Sequence, residues 1–181
     1  MVARTLPKIA TEVFALALYS SVLAQANETT LKAEFLVRFA GFTTWPSSSF
    51  QDASSPVIIG VWNDGKFTST LSFAIGTRTT AGRRIVAKTV RQTSEIHSLH
   101  ILFIPSSGAQ SVDRILSATS RLPVLTVSEI SGFCSRGGAL NFYRDGDFIR
   151  FEANPDGAQN VGLQISSQLL RLARIVRKQH G

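Results

Sequence analysis

The run Leu99-His100-Ile101-Leu102-Phe103-Ile104 is apolar at every position but one, and no other stretch constrains the fold as strongly. A strand with one solvated face alternates polar and apolar residues, whereas a strand covered on both faces reads as a continuous apolar segment. The flanking sequence supplies the cover. Pro56 to Trp62 is a second apolar strand rich in Val and Ile, and the turn Asn63-Asp64-Gly65 launches a short helix, Phe67 to Ile75. Arg84 to Val90 alternates in part, as a half-buried strand does. Ser106-Ser107-Gly108 forms a loop and cap before a helix over Val112 to Leu122, and Pro123 to Val127 reads as another short buried strand. Strand, helix and strand in alternation predict an α/β layer with at least some parallel pairing.

The two ends complete the layer. Leu31, Phe35, Phe39 and Phe42, with Leu36 and Ala40, recur at three and four residues and predict an amphipathic helix over Thr30 to Phe42, with Lys32, Glu34 and Arg38 on its polar face. Trp45-Pro46 ends it, because the residue before proline is driven out of the helical region. Ser47 to Ser55 is a mostly polar loop. Leu140 to Tyr143 and Asp147 to Glu152 flank Arg144-Asp145-Gly146, an Asp-Gly hairpin signal. Asn154 as N-cap and Pro155 at the first helical position open a long helix that the spacing of Ala158, Val161, Ile165, Leu169, Leu172 and Val176 carries to about Lys178. The expected fold is therefore a single α/β domain with a central mixed sheet flanked by helices and a long C-terminal helix.

Residues 1–26 have the form of a secretory leader: Arg4 and Lys8, an apolar run from Val13 to Leu23, and Ala24-Gln25-Ala26 as a cleavage site before Asn27. The run is too short for the roughly 20 residues that span a bilayer. Glu12 interrupts its edge, and an uncleaved leader is the competing reading. Cleavage would leave residues 27–181 as one domain outside the cytoplasm, with no membrane insertion. The chain carries a net charge of +7, all but one unit of it outside the leader. The basic residues are scattered, and the denser patches at Arg83-Arg84 and Arg171 to Lys178 lack the interleaved aromatics that stack bases, so nucleic acid is not the expected partner. The lone Cys134 cannot close a disulfide within the chain. Stability must come from packing, which the twelve Phe of the whole chain, all but Phe14 outside the leader, support.

Catalytic constellations are not visible. His97, His100 and His180 are the only histidines; His180 sits at the terminus, and His100 lies inside the apolar strand, where a hydrogen-bonded core imidazole is the simpler reading. His97 has no partner carboxylate at helical or strand spacing. His97 and His100 with Glu95 make too sparse a set for a metal site. Gly132 and Gly137-Gly138 match neither a dinucleotide fingerprint nor a phosphate loop, and Gly137-Gly138 reads as a tight connection before the hairpin. Glu152 reads as an outward or ion-paired carboxylate. Trp45 is either a buried anchor or an exposed contact residue. No cofactor, metal or catalytic residue is expected.

Several stretches in order resemble the YfiR-like family of bacterial periplasmic proteins: Phe39-Ala40-Gly41-Phe42 with Trp45-Pro46, Ile58 to Val61, His100 to Ile104, Leu125 to Ser128, Gly132-Phe133, Gly137-Gly138, Asn141-Phe142, Arg150-Phe151-Glu152 with Asn154, and Leu169-Leu170 with Leu172-Ala173. The resemblance implies a small periplasmic repressor that binds the external sensory domain of an inner-membrane diguanylate cyclase, has no catalytic residues, and tends to dimerise. Many relatives carry a Cys before the strand His, where this chain has Leu99, so an intrachain redox switch is not expected here. Trp45, Arg144, Arg171 and Arg174 are the candidate partner-binding residues. The alternative is a periplasmic binder of small molecules or cell-wall fragments that feeds a transporter or sensor kinase.

Overall fold

The computed structural model describes residues 27–177. The leader read at residues 1–26, and Lys178 and His180, lie outside the described residues. Helix α1 covers residues 27–41 and is followed by β1 (Thr43–Thr44), β2 (Val57–Trp62), α2 (Gly65–Ile75), β3 (Thr79–Thr80) and β4 (Arg83–Val90). Then come β5 (Ile101–Ile104), α3 (Val112–Thr119), β6 (Leu125–Ser128), β7 (Leu140–Asp145) and β8 (Phe148–Ala153), and last α4 (Pro155–Gln159), β9 (Gln164–Ile165), α5 (Ser167–Leu170) and β10 (Arg174–Ile175). Eight strands form one mixed sheet in the order β3-β4-β2-β5-β6-β7-β8-β10, parallel from β4 through β7 and antiparallel between β7 and β8.

The central apolar run behaves as its composition demands. Ile101 and Phe103 join the core under α1 and α2, while Leu102 and Ile104 join a second core with Trp62, Val112, Ile115 and Phe133 on the α3 side. All four are buried, so β5 has helices on both faces. His100 lies just before this strand as a satisfied core imidazole. Its Nδ1 accepts from the Ile58 N–H (3.1 Å) and its Nε2 faces the Ser49 carbonyl (3.2 Å). Phe50 stacks on the ring at 4.5 Å. Burial first, and then the charge of Arg83, hold His100 below the usual imidazole range despite the Ser49 bond, which works the other way. Arg83 is also structural: its guanidinium lies 3.9 Å from the Phe50 ring centroid and donates to the carbonyls of Asp52, Ala53 and Ser55.

In α1 the buried stripe is rotated from the expected one. Ala33, Leu36, Val37, Phe39 and Ala40 face the core, Leu31 is exposed, and Lys32, expected on the polar face, is buried. Lys32 can be buried because it is doubly paired, with Glu28 and with Glu129, each at 2.5 Å. Phe39 stacks on Phe142 (5.6 Å between centroids, 21°) and meets Phe151 edge-on at 5.2 Å, so an aromatic cluster ties α1 to the hairpin.

The long C-terminal helix is not formed. Asn154 caps α4 as expected, accepting from the Gly157 N–H with Pro155 in the first turn, but α4 stops at Gln159. Gly162, at φ 80°, adopts a conformation that suits glycine and terminates a helix. Gln164–Ile165 then pairs with Thr43–Thr44. Ser166 caps the separate α5 by accepting from the Leu169 N–H, and Arg174–Ile175 leaves that turn as an edge strand beside β8. The recurrent apolar residues serve successive short elements instead of one face.

Gly138 is a close approach. A Cβ there would stand 2.1 Å from the Phe133 ring, which is fully buried. Gly138→Ala is expected to cost about 1–3 kcal/mol through overpacking, read as a lower urea midpoint. A midpoint equal to wild type would contradict this packing.

Candidate functional site

In open α/β sheets, ligands sit at the carboxyl ends of strands where the strand order reverses, here between β2 and β5. Trp62 fills that position. It is buried, with an added Cβ at Gly108 only 3.1 Å from its Cδ1, and the Arg114 guanidinium lies 5.8 Å from its ring centroid.

The exposed functional groups gather instead at the β7–β8–β10 corner. The hairpin register pairs Asp145 with Phe148, so Gly146 and Asp147 make the turn. Directly opposed residues share a face: Asn141 and Glu152, Tyr143 and Arg150, Asp145 and Phe148 all turn to the α3 side of the sheet. Phe142 and Phe151 turn to α1 and are buried. Beyond β7 the α3-side face is partly open to solvent. Arg174 reaches it from β10, pairing with Glu152 and lying 4.2 Å from the Tyr143 ring centroid. Arg150 pairs with Asp145 at 2.6 Å. Phe148 is 68% exposed, and Leu172 and Ile175, on the edge-strand side, are 74% and 48% exposed. Phe148 thus shares a face with an arginine-over-tyrosine stack whose charges are already oriented by partners, while Ile175, in register with Ala153, turns to the other face.

Of the expected contact residues, Arg144 and Arg174 come to this corner from opposite faces of the sheet. Arg144 reaches around to Glu28 at the start of α1 (3.2 Å). Arg171 is exposed in the turn between α5 and β10. Trp45 lies elsewhere and is a buried anchor: its Nε1 donates to the His100 carbonyl at 3.1 Å. That burial settles the two readings of Trp45 and withdraws it as a surface contact. Tyr143, Phe148 and Leu172 were missed, although the period-2 alternation of the hairpin already set Phe148 and Arg150 on one face and Ile149 and Phe151 on the other.

A second polar cluster lies on the α1 side of the same hairpin. A cavity of about 280 Å³ there is lined by Glu28, Lys32, Ser106, Glu129, Tyr143 and Arg144, among others. Glu129 accepts from the Ser106 N–H at 2.7 Å and from Lys32. Burial alone would push the Lys32 ammonium down and the Glu129 carboxyl up. Their mutual hydrogen bond, with Glu28 on one side and Ser106 on the other, outweighs burial, so Lys32 stands above and Glu129 below its ordinary range. Cys134 is buried beneath the corner, and burial, then the Glu152 charge, push its thiol up, the reverse of what a reactive thiol requires. Among the described residues no group of three or more His, Cys, Asp or Glu side chains could hold a metal ion, and no helix is long and apolar enough to cross a membrane.

Fold and surface together define a class: a single mixed α/β domain with a plugged ligand crevice and a charged, aromatic sheet corner. The family model described as YfiR/HmsC-like matches residues 29–174, and the chain belongs to that family. The family is regulatory and non-catalytic, and it supports a periplasmic regulatory role in cyclic-di-GMP signalling in general. A solved structure of a conserved domain protein from Vibrio cholerae O1 biovar El Tor is similar at 12% identity and a TM-score of 0.50, over 67% of this chain and 54% of that one. The matched region is thus about half of that protein's chain, and the likeness concerns fold alone. No curated protein matches the sequence.

Proposed function

We propose that this chain is exported by residues 1–26 and represses an inner-membrane diguanylate cyclase by binding its external sensory domain through the β7–β8–β10 corner. Membership of the YfiR/HmsC-like family carries the regulatory part of this reading. The corner supports the surface assignment, because Tyr and Arg side chains beside exposed apolar groups are the residue types that dominate binding energy in protein interfaces. Phe148, Tyr143 and Arg174 would make the central contacts, with Arg144 and Arg171 at the rim. Repression of this kind needs only differential affinity: the chain binds the inactive receptor conformation more tightly, and about 1–3 kcal/mol of coupling gives roughly 5- to 150-fold control. The test is co-expression in cells with a membrane cyclase that has an external sensory domain, with cyclic-di-GMP as the readout. The expected result is a lower nucleotide level that requires the leader. An unchanged level with the chain exported and intact would overturn the proposal, and would favour the alternative of a small-molecule binder feeding a transporter or sensor kinase.

A further inference from the structure

At the amino edge of β6, on the α3 side of the sheet, a cavity of about 520 Å³ opens between α3, the turn at Arg136-Gly137 and α4. Its size lies in the range that holds small organic ligands. Leu116, Val124, Ala139 and Val161 give it apolar walls, while Arg136 and Arg177 stand at its border with Asp156. The two guanidinium groups are unequally committed. Arg136 pairs with the exposed Asp113 at 2.5 Å, whereas Arg177 reaches Asp156 only at 3.9 Å with both side chains largely in solvent. A pair of that kind contributes little, so Arg177 can exchange Asp156 for an anion at small cost. Asn154, in contrast, is engaged at both ends of its amide, accepting from the Gly157 N–H and donating to the Cys134 carbonyl, and serves as wall.

We infer that this cavity is a binding site for a small organic carboxylate with an apolar body, held by Arg177 with Arg136 at the rim and by the Leu116, Val124 and Val161 walls. The carboxylate matches the planar fork of a guanidinium, which binds such groups bidentately. The apolar body would pack on Leu116, Val124, Ala139 and Val161, because the hydroxyls that also line the cavity are committed to the backbone: Thr119 donates to the Ile115 and Leu116 carbonyls, Ser120 donates to the Ser117 carbonyl, and Thr126 accepts from the Ala139 N–H. Position gives the site a consequence. Arg177 follows directly on the β10 segment, whose Val176 N–H donates to the Ala153 carbonyl (2.8 Å), and Arg174 on that strand stacks over Tyr143. An occupant that holds Arg177 therefore fixes the end of the edge strand at the corner. The site itself does not depend on what the corner binds.

The test is a titration of the purified chain with benzoate and phenylacetate against benzamide and phenylacetamide, followed through backbone amide resonances. The carboxylates are expected to shift Thr126, Ala139 and Asn160 saturably and to bind about tenfold more tightly than the neutral amides, a difference of about 1.4 kcal/mol. Arg177→Gln should weaken carboxylate binding about tenfold with the melting temperature unchanged, since its side chain is exposed. Equal binding of the amides, equal binding to Arg177→Gln, or no saturable shift at these residues up to about 10 mM carboxylate would each overturn the inference.

Discussion

Replacing Lys32 by Met is expected to cost about 3–5 kcal/mol at neutral pH, the effect of removing one partner from a buried ion pair. The side chain is similar in length and apolar, so little packing is lost. What is lost is the ammonium that bridges Glu28 and Glu129, two carboxylates it pairs with at once. Glu28 keeps Arg144 at 3.2 Å, while Glu129 keeps only the Ser106 N–H. The pH dependence follows from the directions of the shifts. Glu129 is held below its ordinary value, so its contribution is present above the unfolded carboxylate range and is lost as pH falls through the folded value. Lys32 is held above its ordinary value, so its contribution is present below the unfolded ammonium range and is lost as pH rises through the folded value. Wild type should therefore hold the network from about pH 5 to pH 10. The deficit of Lys32→Met should shrink on acidification, because its unpaired carboxylates take up protons more readily. Urea unfolding at several pH values measures this. In the double variant Lys32→Met with Glu129→Gln, most of the loss should be recovered, since removing both charges of a buried pair is often neutral. A Lys32→Met midpoint equal to wild type at pH 7 would show that the network contributes nothing.

Phe39→Ala is expected to cost a similar amount, about 3–5 kcal/mol. Phe39 is fully buried and is the hub of the rings joining α1 to the hairpin, in contact with Phe35, Phe142 and Phe151 at centroid distances of 5.2 to 5.9 Å. Truncation removes the transfer energy of the ring and leaves a cavity whose walls, on a helix and two strands, cannot collapse. The second consequence is local. The hairpin carries Tyr143 and Phe148, so Phe39→Ala should raise amide hydrogen exchange at β7 and β8 more than at β2 and β5, which keep their own packing. Uniform loss of protection across the sheet would indicate that the aromatic cluster has no special hold on the hairpin.

Most of the sheet was legible in the sequence because its strands are short, apolar and bounded by turn residues, and Asn63-Asp64-Gly65 and Asn154-Pro155 act through local chemistry. Asp64 and Asn154 both cap the helices they precede. The C-terminal segment was misread because a three-and-four spacing of apolar residues is satisfied equally by a helix and by a string of short elements packed on one core. The signals against a helix, Gly157, Gly162 and Ser166, were present but were outweighed by periodicity. Lys32 was misplaced for a different reason: its burial depends on Glu129, 97 residues away, and pairings at that range leave no local pattern. At the corner, Arg144 was chosen from the hairpin turn and Arg174 from the basic end of an expected last helix. Their neighbours Tyr143 and Glu152 were not joined to them, because β10 pairs with β8 only after the chain has turned twice.

The most direct measurement of the central claim is the affinity of the purified chain for the external sensory domain of a diguanylate cyclase, with wild type compared with Phe148→Asp and Arg174→Glu. Phe148 is exposed, so Phe148→Asp should keep the wild-type melting temperature to within a few degrees, whereas Arg174→Glu sets a carboxylate beside Glu152 and is compared at a temperature well below its own, lower melting point. Wild type is expected to bind with submicromolar affinity and each variant to lose about 30-fold or more, the scale of a central interface contact. Binding that is absent in wild type, or equal in all three proteins, would contradict the claim.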